Sequence, residues 1–173
     1  MNTIWSKYIQ GAKTLYYSRK LRFDDKFSNE YKELFGLDET KQLKILEIGC
    51  GSGALAGSLA RWDPNAEIIA IDRDGEFIRF AKEHEKSVTF IEADIAALPF
   101  ANESFDVVIS NTVCEHIEHS VFYKEQLRVL KPNGVCLVLS SRKGITVAPD
   151  CYAQSDYEKE FWQKAEQYDN TIE

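Results

Sequence analysis

No two of the four cysteines stand at C-x-x-C spacing, the three histidines fall at no metal-ligand spacing, and no apolar run approaches a membrane span. Each absence narrows the field. Cys50, Cys114, Cys136 and Cys151 are too sparse for a disulfide scaffold, so reduced thiols in a cytoplasmic protein are expected. A zinc site lacks its ligand pattern. The opening residues MNTIWSKYIQGAK carry no signal-peptide apolar core, and no membrane association is expected. Excess positive charge is missing too. A formal net charge of −7 argues against general nucleic-acid binding. The charge is uneven: residues 1–35 hold seven Lys/Arg and four Asp/Glu, whereas residues 144–173 hold two Lys and seven Asp/Glu. Two solvated faces of opposite sign account for this. The length of 173 residues suits one domain with a single sizeable core.

The stretch Lys44–Ala60, KILEIGCGSGALAGSLA, carries most of the chemistry. A short apolar run, Ile45, Leu46 and Ile48, breaks into Gly49, Gly51 and Gly53 and then becomes helix-forming. That is the pattern of a buried parallel strand, a tight turn and a helix start. Glycines there admit positive φ and let a ligand approach the backbone. Freed N–H groups at the helix start suit an anion or carboxylate. Glu47 does not fit a purely structural strand, because a buried carboxylate is costly unless something binds it. A cationic ligand group is the natural partner. The turn alone names no ligand, since Gly49, Gly51 and Ala54 also satisfy the dinucleotide pattern G-x-G-x-x-G/A.

Strand-like and helix-like segments alternate downstream. The spacing predicts helices over Ala54–Trp62, Gly75–Glu85 and Val121–Leu130, the last stopped by Lys131-Pro132-Asn133-Gly134. Strands are predicted over Glu67–Asp72, Val88–Ile91, Phe105–Ser110 and Val135–Ser140, with a connector at Ala96–Pro99. The fold class is therefore α/β: a doubly wound, mostly parallel Rossmann-like sheet with helices on both faces. Residues 1–40 lie outside the alternation and are rich in aromatics. They read as an N-terminal helical cap, with a helix at Ser28–Phe35 ended by Gly36. Packing of these aromatics on the outside of the sheet is the competing reading. Tyr16 and Tyr17 are the pair best placed to reach a ligand.

Ligands of doubly wound sheets bind outside the carboxyl ends of the strands. Asp72 ends the second strand, 23 residues after Gly49, the spacing of a carboxylate on ribose hydroxyls. Asp94 follows the third strand, and Asn111 follows the fourth with Glu115, His116, Glu118 and His119 close behind. Here the chain resembles the class I S-adenosylmethionine-dependent methyltransferases, in particular the small-molecule branch. The phrases that carry the resemblance are ILEIGCGSG, IDRD, EADIAALPFANESFDVVIS and LRVLKPNG, in family order over about residues 43–141. It implies that Glu47 and the backbone of Gly49, Cys50 and Gly51 hold the methionine end of S-adenosylmethionine. It further implies Asp72 on the ribose, Asp94 on the adenine amino group, Arg73 and Ile95 flanking the ring, and Asn111 beside the methionine portion. The product would be S-adenosylhomocysteine and the partner a small-molecule acceptor. His116 is the candidate base where the acceptor is protonated, with Glu115 or His119 second. These residues also read as a plain helix start.

The chain departs from the family after its fifth strand. Family sheets are usually completed by two more strands, whereas 32 residues follow Ser141 here. Ile145–Ala148 is the sole strand candidate among them, and Ser155–Gln167 reads as an exposed acidic helix. Either the sheet is truncated or the chain is a fragment of a longer protein. The expected division is a cap over 1–40, a cofactor-binding core over 43–141 and an acidic segment over 142–173. An uncovered fifth strand would be a template for a homodimer or for the C-terminal segment folding back. Two other functions share the glycine turn: an NAD-dependent oxidoreductase and a non-catalytic S-adenosylmethionine-binding module.

Overall fold

The computed structural model describes residues 5–140. Five strands form one parallel sheet: β1 (Lys44–Ile48), β2 (Glu67–Asp72), β3 (Thr89–Glu92), β4 (Phe105–Asn111) and β5 (Leu130–Leu139). Their spatial order is β3-β2-β1-β4-β5. The chain runs outward from β1 to β3, then crosses back to β4 on the other side of β1. The order in which strands are added thus reverses between β1 and β4, and at their carboxyl ends doubly wound sheets open a crevice.

Alternation along the strands divides the core in two. Ile45, Val107 and Ile109 face one side with Ala70, Leu55, Leu59, Ile78 and Phe90. Leu46, Ile48 and Val108 face the other with Phe105, Phe122 and Val129. The first side carries α3 (Ala54–Trp62) and α4 (Gly75–His84), and the second carries α5 (His119–Val129). Seven of the nine residues of α3 are buried, as a helix between sheet and further helices demands. Asp74 caps α4 by accepting from Glu76 N at 3.0 Å.

Ahead of β1 lie a π-helical turn (Trp5–Ile9), α1 (Ala12–Arg22), a 3₁₀ turn (Asp25–Phe27) and α2 (Ser28–Phe35). Gly36 ends α2 at φ 63°, with Leu37 N returning to Lys32 O at 3.0 Å. Polar anchors bind this region to α3. Ser58 Oγ donates to Phe23 O at 2.8 Å, and Trp62 Nε1 donates to Asp25 Oδ1 at 2.9 Å. Tyr31 stacks on Trp62 with ring centres 5.3 Å apart.

Element bounds depart from expectation chiefly at β5. The helix before it stops at Val129, and Leu130 is already extended. Leu130 pairs with Phe105 and Val135 with Val107, so four residues of β5 face Asp106 alone. Asp106 explains the bulge: Lys131 Nζ donates to its two oxygens at 2.8 and 2.9 Å, and Lys44 N donates to Oδ2 at 2.8 Å. β3 begins one residue later than expected, and His84 rather than Glu85 closes α4. Among the described residues β5 pairs on one side only, with β4. Ile145–Ala148, Ser155–Gln167 and Cys151 lie outside the described residues.

Candidate functional site

The turn after β1 is stitched to the end of β2. Cys50 N donates to Ile71 O at 2.9 Å, and Gly51 N donates to Asp72 Oδ2 at 2.8 Å. Gly49 and Gly51 sit at φ 68° and 52°, where side chains are strained. Space forbids them as well. A Cβ on Gly49 would lie 2.4 Å from Val113 Cγ2, and one on Gly51 would lie 2.9 Å from Leu15 Cδ2. The turn is therefore flanked by an apolar side chain from α1 and another from the segment after β4.

Glu47 reaches this turn from β1, where it pairs with Ala70 on one side and Ile109 on the other. It is 3% exposed, and its Oε2 has no hydrogen-bond partner among the described residues. Burial pushes its carboxyl up to about 8, with the nearby Asp72 charge adding to the rise and the Ala56 N–H opposing it. Two further buried oxygens near the same edge lack partners: Ser52 Oγ, inside the glycine turn, and Asn111 Oδ1, at the end of β4. Buried polar atoms left in this way are rare and call for a partner such as a ligand or an ordered water; Asp63 Oδ2, away from this edge, is another. Ser52 escaped the sequence reading. Its signal was position, a hydroxyl between Gly51 and Gly53 inside the turn itself.

Asp72 caps the second strand with both oxygens engaged. Besides Gly51 N, Asp74 N donates to Oδ1 at 2.8 Å. Each carboxylate oxygen accepts more than one bond, so capacity remains. Burial raises Asp72 above the usual carboxylate range despite those two N–H groups. Arg73 is exposed beside it. Beyond β3, Asp94 is exposed and uses Oδ1 to accept from Ala96 N at 2.9 Å, starting the 3₁₀ turn Ile95–Ala97. Ile95 is turned into the second core at 6% exposure. Cys50 is buried in the turn, and burial raises its thiol well above the ordinary range.

After β4 the chain bends sharply at Thr112, φ 56°, which lays Val113 on Gly49. His116 follows on the 3₁₀ turn Cys114–His116 and is exposed. The side chain of Glu115 lies outside the described residues. His119 opens α5 with its ring edge-on to Tyr123 at 6.3 Å. Tyr16 does not reach toward a ligand. It is 4% exposed and donates to Glu85 Oε1 at 2.6 Å, with its ring against Tyr17, Phe80 and His84. Helical geometry explains the correction: α1 crosses α3 and α4, so the residue that meets the turn is Leu15 while Tyr16 faces α4.

A family model described as a methyltransferase domain matches residues 46–138. The release factor glutamine methyltransferase of Flavobacterium psychrophilum is 40% identical over 84 residues, covering 46% of this chain and 30% of that protein. The malonyl-[acyl-carrier protein] O-methyltransferase of Herminiimonas arsenicoxydans is 35% identical over 100 residues, covering 58% and 38%. The chain thus spans about a third of the length of these curated relatives. In fold it is similar to a putative S-adenosyl-L-methionine-dependent methyltransferase from Methanococcus maripaludis, with TM-score 0.63, 18% identity and coverage of 92% and 80%.

Proposed function

Because the chain belongs to the methyltransferase domain family, we propose that the carboxyl edge of its sheet binds S-adenosylmethionine and transfers the methyl group to a small or medium-sized acceptor. One observation carries this reading. Three buried oxygens without partners among the described residues belong to the glycine turn (Ser52) and to the two paired strands that end beside it (Glu47 on β1, Asn111 on β4), and the glycines of that turn admit close approach. An ammonium and carboxylate on one ligand would complete such a set, the first on Glu47 and the second on N–H groups of the turn. A pyrophosphate on the turn would meet the carboxylate of Glu47 instead, which disfavours NAD, whereas Asp72 suits the ribose of either ligand.

When bound, the cofactor supplies a methyl already activated by its sulfonium. The protein's own part is alignment, which can supply much of the rate. Glu47 fixes the methionine end, Asp72 accepts from the ribose hydroxyls, and Asp94 accepts from the adenine amino group. Val113 and Leu15 screen the turn from water on two sides. His116 takes the proton of an acceptor that carries one. The two relatives' names give different acceptors, a release factor glutamine and malonyl-[acyl-carrier protein]. The reading places the protein in the cytoplasm, in keeping with Cys50, Cys114 and Cys136 as free thiols. Among the described residues no helix is long and apolar enough to cross a membrane.

Calorimetric titration with S-adenosylmethionine, S-adenosylhomocysteine and NAD tests the reading. Binding of the first two alone is expected, and NAD binding without them overturns it. An acceptor screen that reads S-adenosylhomocysteine release then separates an enzyme from a binding module. For the side of β5 that is unpaired among the described residues, where the run Val135–Leu139 has no charge or proline, we propose a second copy as the partner. Light scattering should show a dimer that Val135→Lys dissociates, Val135 being exposed. A monomeric wild-type chain rejects it.

A further inference from the structure

We propose that Glu125 and Arg128 of α5 position the purine end of the cofactor site and so set its preference for an amino over an oxo group on the ring. This rests on the S-adenosylmethionine reading above. The two side chains form a forked pair: Arg128 Nε meets Glu125 Oε1 and Arg128 Nη2 meets Oε2, both at 2.8 Å. Their remaining bonds all end on the segment that follows the Asp94 turn. Leu98 N donates to Glu125 Oε2 at 2.9 Å, and Arg128 Nη2 donates to Leu98 O at 3.0 Å. Arg128 Nη1 donates to Phe100 O at 2.8 Å and to Asn102 Oδ1 at 3.0 Å. The backbone of α5 continues the seam, with Glu103 N on Arg128 O at 3.0 Å and Ser104 N on Val129 O at 2.7 Å.

The leverage lies in where this clamp grips. Ala93 N ties the chain before Asp94 to Asp72 O at 3.0 Å, but the bonds of the exposed Asp94 itself, Ala96 N on Oδ1 and Ala97 N on its carbonyl at 3.1 Å, stay within the turn. The attitude of that turn therefore depends on the residues that close it, and both backbone polar groups of Leu98 are fixed by the pair. Ile95 and Leu98 are buried against Phe122 and Val129 of the same helix, so the grip is apolar as well as polar. A hydrogen bond weakens steeply when its donor and acceptor lose alignment. A turn free to rock would thus lose the contact that tells an amino group from an oxo group, while the ribose and methionine contacts on β1 and β2 stay in place. Arg is required because its planar fork serves the carboxylate and two carbonyls together, which a lysine ammonium cannot do.

The test compares S-adenosylhomocysteine with S-inosylhomocysteine by calorimetry on the full chain. Wild type should prefer the adenosyl form by about tenfold or more, the scale of one hydrogen bond to a charged group. Arg128→Lys should cut that preference to about threefold or less by losing adenosyl affinity, leaving inosyl affinity nearly unchanged. Amide exchange over residues 94–104 should quicken in the same variant. A structural role alone would lower both affinities by one factor, and that outcome overturns the proposal, as does an unchanged preference. Should Arg128→Lys fail to fold by circular dichroism, Glu125→Gln carries the test under the same criteria. A wild-type chain that binds neither ligand overturns the cofactor reading and this inference with it. Binding with the preference kept in the variants overturns the inference alone.

Discussion

Two acidic residues at opposite ends of the sheet, Asp106 and Glu47, are treated in opposite ways. At the amino end Asp106 accepts from the Lys44 backbone and twice from the Lys131 ammonium. Burial alone would raise its carboxyl, but those donors more than offset burial and hold it below the usual range. At the carboxyl end Glu47 keeps an oxygen without a partner, and burial carries it to about 8. One carboxylate is completed by the fold and the other is not. On the proposed reading, the contrast separates a carboxylate that holds structure together from one available to a ligand.

Removing Glu47 should break the contrast with the largest effect. At pH 7 the empty side chain is protonated, and an arriving cation makes it ionise and release a proton. Cofactor affinity should therefore rise with pH toward about 8, at a limit of about tenfold per unit, and then fall as the ligand's own ammonium loses its proton. Glu47→Gln should flatten that slope and weaken binding at pH 8 by about 1.5–3 kcal/mol. Stability of the empty protein should move the other way. Glu47's folded value lies above its ordinary 4.5, so its contribution is full below that value and lost as pH rises toward 8. The Gln variant should thus gain in melting temperature over wild type between about pH 5 and 8. Calorimetric and thermal pH series check both signs.

Asp72 sharpens the contrast within the carboxyl end, since it serves the fold and the ligand at once. Asp72→Ala should weaken cofactor binding by about 1.5–3 kcal/mol and also free the Gly51 and Asp74 N–H groups. Asp72→Asn should lose less, because one acceptor oxygen remains. Wild-type affinity in a folded alanine variant would remove this residue from the site.

Much of this architecture was legible because its signals are local. Gly36 ends α2, and Asp63-Pro64 closes α3 at Trp62, where spacing and breaker residues put them. Glu47 stood out because a carboxylate in an apolar run contradicts its surroundings whatever the fold. What escaped reading depends on partners distant in sequence. The β5 bulge follows from Asp106 meeting Lys131, 25 residues on. The Glu125–Arg128 clamp binds carbonyls about 30 residues earlier. Tyr16 was misplaced because helical period gives the faces of α1 but not which neighbour each face meets.

The amino end supplies the converse test, with a smaller effect. Asp106→Asn should cost about 1–2 kcal/mol of stability, read by denaturant midpoint, because the Lys131 ion pair goes while the Lys44 N–H keeps an acceptor. Cofactor affinity should stay within about threefold of wild type in the folded fraction. A large binding loss with unchanged stability would erase the distinction between the two ends.

Tyr16→Phe tests the boundary between these regions and should have the smallest effect. The hydroxyl donates to Glu85, which also meets Arg61 at 3.4 Å. Burial, then the Glu85 hydrogen bond, pushes the phenol up to about 12, so it stays a donor throughout the neutral range. Phenylalanine keeps the ring contacts with Tyr17, Phe80 and His84, and Glu85 keeps Arg61 as a counter-charge. The loss should therefore be about 0.5–1.5 kcal/mol, the net worth of one such bond. Leu15 is the neighbour of Tyr16 on α1 and the residue that packs on Gly51. A modest loosening of α1 should thus reach the turn only weakly, and cofactor affinity should change by less than about threefold. A loss of tenfold or more in binding, with stability intact, would return Tyr16 to the ligand and place the site's boundary one residue further along α1.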